Sequence, residues 1–176
     1  MSPAGTPDEA AGIERQQTTG WEAGPPTEPV EPVAIAYTAA DEPDPCVLDT
    51  SAILALVERE EGADTVRDVI QLGSAVLPWI AALELHYITS REVSREEAES
   101  RLLLLANAGV RVQATLTDRL LRTASALKAN FPVSLADALI AAVAIEENAI
   151  LVHKDPEYLP LRDRVRLLSL PFKSGP

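Results

Sequence analysis

From residue 46 onward the chain alternates between short, almost wholly apolar runs and longer stretches whose apolar positions recur three and four residues apart. Cys46-Val47-Leu48, ended by Asp49, predicts a buried strand. Ser51 to Arg59 (SAILALVER) follows at helical spacing, and Glu61 to Leu72 continues helically up to Gly73, a stop signal. Ala75 to Leu77 predicts a second strand before Pro78, and Trp79 to Arg91 the next helix. Ser94 and Glu97 have capping-box spacing and open a helix to Ala106, with Asn107 and Gly109 at its end. Val110 to Ala114 alternates like a strand. Thr117 is placed to cap a helix from Asp118 to about Asn130, closed by Pro132, and Ser134 to cap the helix after it. Ala149 to His153 reads as a fourth buried strand and Val165 to Leu168 as a fifth.

Short apolar strands alternating with helices imply an α/β fold, a mostly parallel sheet covered on both faces. Sites in such sheets form beyond the carboxyl ends of the strands, where the strand order switches.

Composition divides the chain. Residues 1–45 hold nine acids against one base and eight of the fourteen prolines. One-sided charge, many prolines and few apolar residues predict a disordered acidic tail, unable to offset its ordering entropy by burial. The folded domain is expected over 46–176. The net charge of −12 argues against charge-driven binding to DNA or anionic membranes. Met1 to Gly20 lacks the basic start and apolar run of a secretion signal, and no window of eighteen uncharged apolar residues occurs. The expected location is cytoplasmic. The single cysteine, Cys46, excludes an internal disulfide and a cysteine-clustered zinc site, and it reads as a small core residue.

Four acids stand in apolar surroundings. Asp49 follows the first strand, and Asp155 lies just past the fourth, on the same edge of a parallel sheet. Glu84 is the only acid in WIAALELHYI, with no opposite charge three or four residues away. Asp137 is three residues after Ser134, at a helix start where the dipole favours negative charge. Singly, Asp49 is explained as a helix cap, Asp155 with Pro156 as a turn, and Asp137 as a dipole partner. Together they ask for protons or a cation, because two carboxylates about 4 Å apart repel by roughly 4 kcal/mol at an effective dielectric near 20. A hard divalent ion with oxygen ligands, Mg²⁺ or Mn²⁺, fits, and with it metal-assisted phosphodiester hydrolysis.

VLDTSAILAL, ALELHY, SLADALIAAVA and AILVHKDPEYLPL resemble the four ordered motifs of the PIN-domain family, most closely the VapC-like ribonuclease toxins of bacterial toxin–antitoxin pairs. The resemblance covers Cys46 to about Leu170. It implies a PIN-like three-layer fold, with a short central sheet flanked by helices. Carried over by position, it makes Asp49, Glu84, Asp137 and Asp155 the ligands of Mg²⁺ or Mn²⁺ that activate water to cleave single-stranded RNA. It implies a cognate antitoxin, whose segment occupies the acidic pocket, and a homodimer. Ser51 matches the family's supporting hydroxyl. Ser134 reads first as a helix cap and then as support for Asp137.

Two positions depart from the family pattern. His153 stands where many members have a threonine, and Ala81 and Ala82 where a hydroxyl often precedes the glutamate. His153 reads as a partly exposed strand-end residue, with metal or phosphate contact as the alternative. Lys154 and Arg162 are placed to hold RNA phosphates or to form a solvated pair. Arg91, Arg95 and Arg101 are expected to face solvent. Trp79 and Tyr87, on one helix face, are expected to pack in the core or in a dimer contact. The competing function is a catalytically silent PIN-fold binding module. A phospho-acceptor domain is disfavoured by Glu84 and Asp137, both on helices.

Overall fold

The structure is a computed structural model, described here over residues 43–172. The expected disordered tail falls outside the described residues except for its last three. Of those, Pro45 accepts a backbone hydrogen bond from Ile150, and Asp44 pairs with Arg166.

Five strands form the sheet: β1 (Cys46–Leu48), β2 (Ala75–Pro78), β3 (Arg111–Gln113), β4 (Ile150–His153) and β5 (Arg166–Ser169). Six α-helices intervene: α1 (Thr50–Val57), α2 (Ala63–Gln71), α3 (Trp79–Glu92), α4 (Arg95–Asn107), α5 (Asp118–Asn130) and α6 (Leu135–Glu146). A 3₁₀ helix, Pro156–Leu161, joins β4 to β5. The strand order is β3-β2-β1-β4-β5, and every pairing is parallel.

The strand sequences follow from this order. β1, β2 and β4 are covered on both faces, so they read as apolar runs, broken only by His153 at the end of β4, and every residue of each is buried. β3 and β5 are edges, and there arginine and other polar residues enter the run. Cys46 is buried in the core, as expected.

The helix starts are written in their caps. Thr117 Oγ1 accepts from the Leu120 N–H and Ser94 Oγ from the Glu97 N–H, each at 3.1 Å. Ser94 and Glu97 make only half of the expected box. The Glu97 carboxylate instead takes the Arg101 guanidinium at 2.9 Å. That guanidinium also donates to Thr89, and the Arg101 side chain is only 12% exposed, so it bridges α3 and α4 and does not face solvent. Arg91 and Arg95 do lie at the surface. Tyr87 is exposed and outside the chain's own core, and Trp79 is half-buried.

The expected helical run from Glu61 is entered by a turn at Gly62, whose φ is +95°. A side chain there would also meet the Leu170 Cβ at 3.0 Å. Gly62 therefore separates α1 from α2, and both its backbone conformation and its close approach require glycine.

The strand order reverses between β1 and β4, which are neighbours in the sheet although two strands and six helices intervene in sequence. The crevice beyond their carboxyl ends is where an open parallel sheet builds its site.

Candidate active site at the carboxyl edge of the sheet

Leu48 is in register with Val152, and the Asp49 N–H donates to the Val152 carbonyl at 3.0 Å. The next residues, Asp49 and His153, therefore emerge side by side at the switch point. Both are deeply buried, at 4% and 0% exposure.

Asp49 caps α1. Its Oδ2 accepts from the Ser51 N–H at 2.9 Å and from the Ser51 hydroxyl. Its Oδ1 accepts from the Tyr158 hydroxyl at 2.8 Å. These donors favour the ionised form, yet burial outweighs them and, with Asp137 nearby, pushes the Asp49 carboxyl up to about 6. One pKa unit corresponds to about 1.4 kcal/mol, so the charged carboxylate is held on the order of 2–3 kcal/mol less comfortably than in water. Three hydrogen bonds do not stabilise it fully. A cation would.

Glu84 reaches the same edge from α3. It is half-buried, and its Oε2 accepts from the Thr50 hydroxyl at 2.7 Å. Asp137 enters from the start of α6, where it forms a full capping box with Ser134. The Ser134 Oγ accepts from the Asp137 N–H at 3.0 Å, and Asp137 Oδ2 accepts from the Ser134 N–H at 3.2 Å. The cap reading of Ser134 is therefore the geometry observed. Asp137 lies close enough to the Tyr158 phenol to raise its pKa together with Asp49.

Asp155 is placed differently. Its Oδ1 accepts from the Glu157 N–H at 2.8 Å and caps the 3₁₀ helix. Among the described residues no three Asp, Glu, His or Cys side chains converge as a metal-binding group. Thr50, next to Asp49 in sequence, holds Glu84, and the Tyr158 phenol bonds Asp49 with Asp137 nearby, whereas the Asp155 carboxylate caps its own turn.

The reading of His153 as partly exposed is corrected. It is sealed in, with its ring centroid 5.0 Å from that of Tyr158 and 6.2 Å from that of Phe172. Nδ1 lies 2.7 Å from the Asp155 carbonyl and Nε2 2.9 Å from the Ser169 hydroxyl. A carbonyl only accepts, so Nδ1 carries the proton, and burial lowers the pKa, which favours the neutral ring. Nε2 is then the acceptor for Ser169. Neither nitrogen is free for a metal or phosphate.

Lys154 is corrected as well. Its side chain is only 7% exposed, and its ammonium donates to the Glu60 carboxylate and the Glu61 carbonyl, each at 3.0 Å. Its backbone N–H donates to the Ser51 Oγ at 2.8 Å. Lys154 thus ties β4 to the α1–α2 turn and is not presented to a ligand, whereas Arg162 is exposed. A groove of about 270 Å³ opens beside this tie, with Ser51, Leu54 and Phe172 in its walls.

Two residues of the site went unassigned from sequence. Thr50 holds Glu84 from 34 positions away, and Tyr158 holds Asp49 from 109 positions away. The signal for Thr50 was its place inside Asp-Thr-Ser. The signal for Tyr158 was a phenol in an otherwise apolar YLPL run that has to be satisfied once buried.

The donor set is carboxylate oxygen, which suits a hard divalent cation. His153 is closed and Cys46 lies in the core. No helix among the described residues is long and apolar enough to cross a membrane.

No curated protein sequence matches the chain. Solved structures do. The chain is similar to VapBC2 from Rickettsia felis bound to a promoter DNA fragment, with 19% identity, a TM-score of 0.57, and coverage of 69% of this chain and 96% of that one. It is similar to VapBC-1 from nontypeable Haemophilus influenzae, with 20% identity, a TM-score of 0.57, and coverage of 70% and 96%. VapBC-5 from Mycobacterium tuberculosis, a member of the VapBC family of toxin–antitoxin systems, gives 18% identity, a TM-score of 0.53, and coverage of 72% and 99%. At these identities the likeness is one of fold. The PIN domain's sequence model matches residues 46–163, about two thirds of the chain, and the chain belongs to the PIN-domain family.

Proposed function

We propose that the chain is a Mg²⁺- or Mn²⁺-dependent endoribonuclease that cleaves single-stranded RNA, and that it is the toxin of a toxin–antitoxin pair. The observation that carries this reading is Asp49, a buried carboxylate at the switch point whose three hydrogen bonds leave its charge under-compensated. Membership in the PIN-domain family and the likeness to VapBC folds support it.

In this reading Asp49, Glu84, Asp137 and Asp155 would hold the ion. When bound, it supplies a more acidic water and offsets charge on the phosphodiester. Ser51 fixes one oxygen of Asp49, and Thr50 fixes one oxygen of Glu84, so two of the acids are oriented before any ligand arrives. Arg162, exposed beyond the 3₁₀ helix, is a basic residue that an RNA phosphate could reach. The cognate antitoxin would place a segment in the acidic pocket, and the active form would be a homodimer in the cytoplasm.

One observation favours the second reading, a silent binding module: among the described residues no three acids converge as a metal-binding group, and the Asp155 carboxylate caps its own turn. Cleavage of a pool of structured RNAs by purified protein separates the two. Cuts in single-stranded loops with Mg²⁺ or Mn²⁺, lost in EDTA and in Asp49→Asn, are expected of the nuclease. Equal survival of every RNA with folded wild type and folded variant would leave the binding module.

A further inference from the structure

Tyr158 is the largest fully buried side chain of the described residues, and its phenol is aimed at the site. Phenylalanine would fill the same apolar volume without carrying a hydroxyl into the interior. The hydroxyl donates to the Asp49 Oδ1 at 2.8 Å, an oxygen that no local contact holds, with Asp137 also close to the phenol. Ser51 fixes only the other oxygen, from within the same helical turn. With both oxygens pinned, rotation of the carboxylate is restrained, and the lone pair left on Oδ1 points in a fixed direction.

The phenol is itself immobile. Its ring packs against His153 at a tilt of 59°, and the 3₁₀ helix that carries it is capped by Asp155. His153 in turn holds the Asp155 carbonyl from Nδ1. A continuous path of contacts thus runs from Ser169 at the surface end of β5 through His153 and the Asp155 turn to Tyr158, and ends in the buried bond to the acid at the tip of β1. A carboxylate oxygen only accepts, so the phenol is the donor in this bond.

We infer that Tyr158 is a positioning residue, whose hydroxyl holds the Asp49 carboxylate in the orientation that receives the divalent cation. This rests on the metal-dependent reading above. Partners that orient a ligand typically contribute 10–100-fold in metal affinity. A hydroxyl that served the fold alone would instead register in metal-free stability and leave affinity untouched.

The test is Mn²⁺ binding, followed by electron paramagnetic resonance of the free ion, for wild type, Tyr158→Phe and Asp49→Asn. None of these titrations involves RNA or turnover. The expected result is binding by wild type, loss in Asp49→Asn, and affinity about tenfold weaker in Tyr158→Phe. Equal affinity in wild type and folded Tyr158→Phe, with loss in Asp49→Asn, overturns the role of Tyr158 and leaves the metal reading standing. No binding by wild type overturns both. If Tyr158→Phe does not fold, wild type labelled at the tyrosine ζ-carbons decides the matter. Added Mg²⁺ should move the Tyr158 resonance and leave that of exposed Tyr87 in place, and an unmoved Tyr158 resonance overturns the inference.

Discussion

Asp49 and His153 stand side by side at the ends of adjacent parallel strands, both nearly inaccessible to water, yet they are built to opposite specifications. His153 is finished. Each nitrogen has one partner of the right kind, and the ring is favoured as neutral. Asp49 is unfinished. It collects three donors, remains a costly charge, and its pKa is displaced upward. A buried polar group that serves the fold is closed and neutral, whereas one that serves a ligand keeps a debt of charge for the ligand to settle.

The sharpest way to break this comparison is to remove the charge. If the proposed function holds, Asp49→Asn should lower RNA cleavage by about 100-fold or more, because that reading makes Asp49 a charged ligand of the ion. The same variant should be more stable than wild type in metal-free buffer, by about 2 kcal/mol. Cleavage assays and chemical denaturation in EDTA check the two halves separately. Removing the finished neighbour should do the reverse. His153→Ala empties a packed site and leaves the Asp155 carbonyl and Ser169 without their partner, for an expected destabilisation of about 2–4 kcal/mol by denaturation.

The pair also titrates in opposite senses. Asp49 has its pKa raised from 3.8 to about 6, so the folded state holds that proton more tightly. Its contribution to metal-free stability grows as pH falls from about 6 toward about 4. His153 has its pKa lowered from 6.5, so the stability it contributes is full above that value and is lost as pH falls below it. In Asp49→Asn the opposing Asp49 contribution is gone, and stability should fall as the pH is lowered from 7 to 5. Wild type should be flatter over the same range, as urea melts at each pH would record. The smallest effect belongs to Thr50. Thr50→Val removes the hydrogen bond to Glu84, for about 1 kcal/mol or less in stability and about tenfold in cleavage rate.

What the sequence disclosed and what it withheld divide along the same physical line. Caps such as Thr117 and Ser134 act on donors three residues away, and β1, β2 and β4 are apolar because they are buried on both faces. Both signals are local, so the elements were legible nearly to the residue. The acids were legible because carboxylates are conspicuous among apolar neighbours. Their supports were not. Tyr158 meets Asp49 across 109 positions, and Ser51 accepts from Lys154 across 103. No periodicity reports such pairings. His153 looked like a strand end open to solvent because its cover, Ser169 and Phe172, comes from beyond the next strand crossover. Gly62 was hidden for the same reason, since the need for glycine arises from Leu170.

The central claim is that the charge on Asp49 is left for a cation to complete, and thermal melting with and without Mn²⁺ tests it most directly. In EDTA, Asp49→Asn should melt above wild type. Adding Mn²⁺ should raise the wild-type Tm by several degrees and leave the variant where it was. If Mn²⁺ moves neither protein, or moves both alike, Asp49 is not the residue that waits for the ion, and the account of this site fails.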